Sequence, residues 1–265
     1  MLLFFREISF NKKSFIIWTI ALIALLFLSM SMFSSFSKDA ESLTTLMESF
    51  PEEMMKAFNM SNVNFSDSMD YFSYIFQYVF LFAAIQYILL GSNILSKENG
   101  DKTIEFLYSK PITRDYILTS KLFSGFLQII IFNILGILFS ILSFKLFTSS
   151  DFNLSVLILL WISLLIANIL YFCLGFVVSI FLKKAKQALP VSLGIVLGTY
   201  FLSIVASLNE KLEFLKYFSP FRYFDGLTII RNEKISGFYL LLSVIIIIVC
   251  ISISYIKYSK KDLKV

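Results

Sequence analysis

Side-chain chemistry has little to work with in this sequence. It contains no histidine, which removes Ser–His and Cys–His nucleophilic catalysis, histidine metal sites and a histidine pH switch together. Cys173 and Cys250 both fall inside apolar runs, where a free thiol behaves as a small buried hydrophobe, and two such residues define no disulfide framework. There is no G-x-x-x-x-G-K-S/T, G-x-S-x-G, H-E-x-x-H or C-x-x-C, so the chain brings no nucleotide loop, hydrolase elbow, zinc site or redox pair of its own. No cofactor is expected. One stretch stands apart: residues 91–121, GSNILSKENGDKTIEFLYSKPITRDYILTSK, gather Lys97, Glu98, Asp101, Lys102, Glu105, Lys110, Arg114, Asp115 and Lys121 between two long apolar runs. Charges at this density cannot sit in hydrocarbon, so the stretch reads as a solvated segment joining two membrane spans.

That segment also carries local order. Gly100-Asp101 is a turn signal, and Asp101 can cap a short helix over 102–108. Pro111 pushes Lys110 out of the helical region and ends that helix. Thr113, with Asp115 in the following turn, reads as the N-cap of a second helix that runs on into the membrane. On a helical wheel Ile104, Leu107 and Tyr108 share one face of 102–108, while Lys102 and Glu105 lie opposite with Phe106 beside them. A Phe on a charged face invites a partner protein's pocket; the other reading is an aromatic leaning into the bilayer interface.

The elements that must position this segment are apolar. The 265 residues are 58% hydrophobic and only 15% charged, well below the quarter usual in soluble domains, so most of the chain faces lipid or other spans. Apolar runs place six spans at about 14–33, 71–90, 121–144, 156–182, 188–208 and 237–256, each long enough to cross about 30 Å of hydrocarbon. Residues 1–13 mix Phe and Leu with Arg6, Glu7, Lys12 and Lys13; their apolar run is too short for a secretory signal, and they read as an interfacial helix lying along the membrane. The acidic segment 34–70, with Pro51, has room for one or two short helices. Segment 211–234 alternates aromatics with charges around Ser219-Pro220 and Asp225-Gly226, which suggests a short helix dipping into the outer interface.

Orientation follows from the basic residues. The N-terminus, the 91–121 segment, the loop at 183–187 and the C-terminal tail together hold 15 Lys and Arg against 6 Asp and Glu, whereas the other side holds 8 against 12. The first side is expected to be cytoplasmic, with both termini inside. The net charge of +5 is thus a topology signal, and no nucleic-acid partner is expected. Abundant Ile, Phe and Lys with few Gly fit an AT-rich bacterial genome.

Within the spans lie the uncharged polar residues Gln77, Gln86, Gln128, Asn133 and Asn168, which either line a substrate path or hydrogen-bond between packed helices. No ionisable residue sits at the centre of a span, which argues against a proton-coupled carrier or an ion-driven pump. Gly194-x-x-x-Gly198 is a close-packing motif that marks either a dimer face or a contact inside the chain.

This pattern resembles the permease subunits of type-2 ATP-binding-cassette (ABC) transporters, most of which are exporters. The resemblance rests on six spans with both ends inside, the amphipathic N-terminal segment and the first cytoplasmic loop. The loop carries Glu98-Asn99-Gly100, Thr103, Glu105, Leu107-Tyr108-Ser109-Lys110-Pro111, Arg114 and Lys121, and Ser219-Pro220-Phe221 before the last span is also similar to the family's. The outer segment 34–70 is far shorter than the large extracellular domain of some members. The resemblance implies an all-α polytopic fold over 1–265, with six transmembrane helices, an N-terminal interfacial helix and a cytoplasmic coupling helix in the loop 91–120. That loop would dock on a separate ABC ATPase subunit through Glu98, Gly100, Glu105, Pro111, Arg114 and Lys121, with Lys102 and Phe106 on the same short helix. A second permease subunit, identical or related, would complete the pathway in the bilayer, and this chain would perform no chemistry itself. The rival readings are a membrane scaffold or assembly protein, whose spans would not respond to nucleotide, and an intramembrane enzyme, which the absent histidine disfavours.

Overall fold

In a computed structural model of the protein, residues 2–39, 45–46, 49–100, 113–148, 151–182, 184–208 and 210–259 are described. Among the described residues, six helices are long and apolar enough to cross a membrane: α1 (Leu2–Ser31), α2 (Ser68–Gly100), α3 (Arg114–Phe147), α4 (Leu154–Phe181), α5 (Ala188–Leu208) and α6 (Gly237–Ser259). No strand occurs among the described residues. Glu7 of α1, Ile94 of α2 and Lys121 of α3 meet at one end of the bundle, and Arg114 of α3 meets Tyr258 of α6 there. This is the terminal end. Asp70 of α2 and Arg231, from the short helix Gly226–Asn232, meet at the opposite end.

The helices start and run for local reasons. Thr113 caps α3, its side chain accepting from Tyr116 N at 3.3 Å, as the sequence led us to expect. Asn153 caps α4, accepting from Ser155 N at 3.0 Å and Val156 N at 3.3 Å. The break expected between an interfacial helix at 1–13 and a first span at 14–33 is absent: α1 is one unbroken helix. Its 30 residues contain neither Gly nor Pro, so nothing interrupts the backbone ladder. Likewise α2 runs ten residues past the point where the polar loop was expected to begin. Hydropathy marks where a helix leaves hydrocarbon, not where its hydrogen bonds stop, and Ser92, Ile94, Leu95 and Ser96 remain buried there.

The centre of the bundle is the α2–α4 pair. In their most apolar stretches 67% of residues are buried, against 17% for α5 and α6, so those two helices form the keel and α1, α5 and α6 the flanks. The keel is close-packed through glycine. A Cβ on Gly91 would lie 2.2 Å from the carbonyl oxygen of Phe172, and one on Gly175 would lie 2.2 Å from that of Ile88. α3 crosses α4 by a related device, Gly125 and Gly136 making seats for the rings of Phe172 and Trp161. Trp161 also donates from Nε1 to Ser140 Oγ at 3.0 Å, which satisfies the one polar atom of a buried indole. Between α5 and α6 the chain folds as a 3-10 segment (Glu210–Phe218) and two short helices, Pro220–Tyr223 and Gly226–Asn232. Phe221 from this segment inserts among Phe80, Tyr171 and Tyr200, with ring centroids 4.7, 5.7 and 5.3 Å away. The segment therefore closes the opposite end of the bundle.

Candidate coupling site

The first turns of α3 are held from three sides. Lys121 Nζ lies 2.8 Å from Glu7 Oε1 of α1 and donates at 2.8 Å to the Ile94 carbonyl of α2. Arg114 Nη1 donates to Tyr258 O at 3.3 Å, near the C-terminus of α6, where a cation also meets the negative end of the helix dipole. Thr119 Oγ1 shares a hydrogen bond with Tyr255 OH of α6 at 2.6 Å. α3 begins directly after the charged loop, so whatever moves that loop acts on a helix already tied to α1, α2 and α6.

The expected coupling residues do not all lie where the sequence suggested. Lys121, expected among the ATPase-coupling residues, is 0% exposed and its partner Glu7 is 5% exposed; both charges are removed from water, a cost that their pairing helps to offset. Arg114 is part-buried and turned toward α6. Glu98 and Gly100 belong to the last turn of α2. Lys102, Glu105, Phe106 and Pro111, with the short helix expected over 102–108, lie outside the described residues.

The five amide residues are not assembled into one path. Gln77 accepts from Asn59 Nδ2 at 3.1 Å and lines a cavity of about 260 Å³ at the opposite end, together with Lys56, Arg222 and Asp225. Gln86 and Gln128 line a separate cavity of about 160 Å³ between α1, α2 and α3. Along α2, Gln77 and Gln86 are about 14 Å apart. Asn133 donates within its own helix to Ile129 O at 2.9 Å, and both amide atoms of Asn168 are buried without a partner among the described residues. Gly194 and Gly198 have nothing within 4 Å of where a Cβ would stand, so their motif makes no packing contact with the described residues of its own chain.

Other residues that matter escaped sequence reasoning. Asp70 is 0% exposed, pairs with Arg231 and accepts from Asn64 N at 2.9 Å. Neither ion pair interrupts an apolar run, because Glu7, Lys121, Asp70 and Arg231 all sit near span ends. The packing glycines Gly91 and Gly175 form no motif because they lie on different helices.

The comparison with known families decides the identity. The model of the ABC-2 family transporter protein matches residues 7–263, nearly the whole chain. The chain belongs to the ABC-2 transporter family. No curated protein matches it. As an ABC-2 permease it is a multi-pass membrane protein and the transmembrane component of an ABC transporter, a system in which an ATPase partner works with the permease.

Proposed function

We propose that this permease is half of an exporter driven by a separate ATPase, which docks on the loop 91–120 at the cytoplasmic end. The observation that carries the reading is the fastening of α3: the helix that leaves the loop is tied to α1, α2 and α6 within its first eight residues. Closure of the ATPase on ATP would pull the loop, and α3 would carry that displacement into the bundle as a rigid-body shift. The coupling surface is Glu98, Gly100, Lys102, Glu105, Phe106 and Pro111, with Arg114 and Lys121 anchoring its downstream end. A second permease subunit completes the pathway, and the uncovered Gly194–Gly198 face of α5 is the surface offered for pairing.

Phe106 is the residue to test. Phe106→Asp keeps the loop solvated but places a charge where a desolvated pocket is expected. An aromatic anchor contributes on the order of 2 kcal/mol to an interface, so the variant should bind the ATPase about thirtyfold more weakly. Co-purification of the ATPase should fall while membrane insertion, set by the spans, stays intact. Retention of wild-type ATPase binding and transport would place the docking surface elsewhere in the loop.

The orientation has its own test. In a background lacking Cys173 and Cys250, cysteines at Ser61 and Ser259 should label from opposite sides, Ser61 from outside intact cells. Labelling of both from outside would overturn the orientation and the span count, and labelling of Ser259 alone would reverse the assignment of the cytoplasmic end.

A further inference from the structure

The cavity of about 160 Å³ between α1, α2 and α3 has no part in the coupling geometry. Its polar lining is Asn11 and Ser14 of α1, Gln86 and Asn93 of α2, and Gln128 of α3, and no charged side chain lines it. Gln86 and Gln128 are 6% and 4% exposed. The hydrogen bonds fix how three of these amides are turned. Asn11 Nδ2 donates to Glu7 O at 3.1 Å, Asn93 Nδ2 to Leu89 O at 2.9 Å and Gln128 Nε2 to Ser124 O at 3.3 Å. A carbonyl can only accept, so in each case the NH₂ faces its own helix and the amide oxygen is turned away from it. The oxygen of Gln86 is buried and has no partner. Gln86 Oε1 is thus a buried acceptor without a donor among the described residues, an expensive arrangement for a group removed from water, and beside it the oxygens of Asn11, Asn93 and Gln128 are turned from the backbones that hold their NH₂ groups.

We propose that this cavity binds the primary ammonium head of an alkylamine-type amphiphile that enters from the membrane. An R–NH₃⁺ group offers three donors and no acceptor, which complements a lining of oxygens. Phe15 and Trp18 also line the cavity, and aromatic faces attract cations. An anion finds no cationic side chain in the lining and an amide oxygen beside every remaining N–H. The volume equals about five water-sized groups, enough for the head and its first methylenes, while the tail continues past Leu89 and Leu90 into lipid. The site needs only the membrane setting of the chain and is independent of how the ATPase docks.

The test uses the full-length chain in phosphatidylcholine nanodiscs, titrated with dodecylamine while tryptophan emission is followed. Trp18 is the reporter; the other tryptophan, Trp161, is buried against Ser140, and a Trp18→Phe chain should lose the signal. Dodecylamine should give a saturable change. Dodecyltrimethylammonium, with the same charge and tail but no N–H donor, should half-saturate at least about tenfold higher, as the loss of hydrogen bonds to a charged group implies. Gln86→Leu should shift dodecylamine by a similar factor, and Asn93→Leu, at an exposed position, does the same where the buried variant fails to fold. A linear, non-saturating response to dodecylamine, equal half-saturation by the trimethyl compound, or wild-type binding by the folded variants would each overturn the assignment. Binding that is intact in a chain that recruits no ATPase would leave this site standing and remove the coupling proposal alone.

Discussion

Lys121→Met is expected to destabilise the folded permease by about 3–5 kcal/mol, because it removes the cation 2.8 Å from the buried Glu7 carboxylate. The variant should insert but melt well below wild type in detergent. The expected loss is larger than for a surface salt bridge, which contributes about 1 kcal/mol or less, since the Lys121 and Glu7 side chains are 0% and 6% exposed. The companion variant separates the pair from its parts. Glu7→Leu combined with Lys121→Met removes both charges at once and should recover much of the lost stability, because replacing a buried pair with apolar groups is often neutral. If the recovered double variant folds yet fails to link ATP hydrolysis to transport, the pair fixes the register of α1 against α3 for coupling. A single Lys121→Met chain that melts with wild type would mean that Glu7 finds another partner.

The second large effect is at the keel. Gly175→Leu should cost about 3 kcal/mol or more, since its Cβ would stand 2.2 Å from the Ile88 carbonyl oxygen and 2.9 Å from Ser92 N. Both are backbone atoms, which no rotamer change can move, so α2 and α4 must part along their whole contact. Gly198→Leu is the natural control. It has open space around it within the described chain, and the isolated subunit should melt as wild type does. Thermal unfolding of the two purified variants, side by side, checks both statements. Equal melting of Gly175→Leu and wild type would show that the crossing is looser than its glycines imply.

The six helices were legible because apolar runs of span length announce themselves whatever they pack against. The cap at Thr113 was legible because capping is local. Helix ends were less so: α2 outlasts its apolar run by ten residues, and α1 absorbs the segment read as interfacial, since polar residues do not break a helix that has left hydrocarbon. Lys121 was misplaced for a related reason. Its sequence neighbours are charged and solvated, but Lys121 lies two turns, about 10 Å, further along α3 than Arg114, far enough to meet α1 and α2 inside the bundle. The glycine pair was invisible because a contact between two helices has no spacing within either one. Gly194-x-x-x-Gly198 shows the converse: a local pattern that the rest of the chain leaves uncovered.

The two ion pairs also bear on how the chain is made. Glu7 and Lys121 are 114 residues apart and Asp70 and Arg231 are 161 apart. At roughly 5–20 residues per second of synthesis, Asp70 waits about 8–30 s for its arginine after it leaves the ribosome, through the insertion of three further spans. Glu7 is matched as soon as α3 arrives, before the keel partner α4 exists. The α1–α2–α3 part of the terminal end can therefore form early, while its ties to α6 wait for the last span and the opposite end stays open until the last short helix before α6 is delivered. A nascent chain stopped before Arg231 has its Glu7–Lys121 pair in place but its far end unsealed, and it is that end which membrane quality control has to recognise.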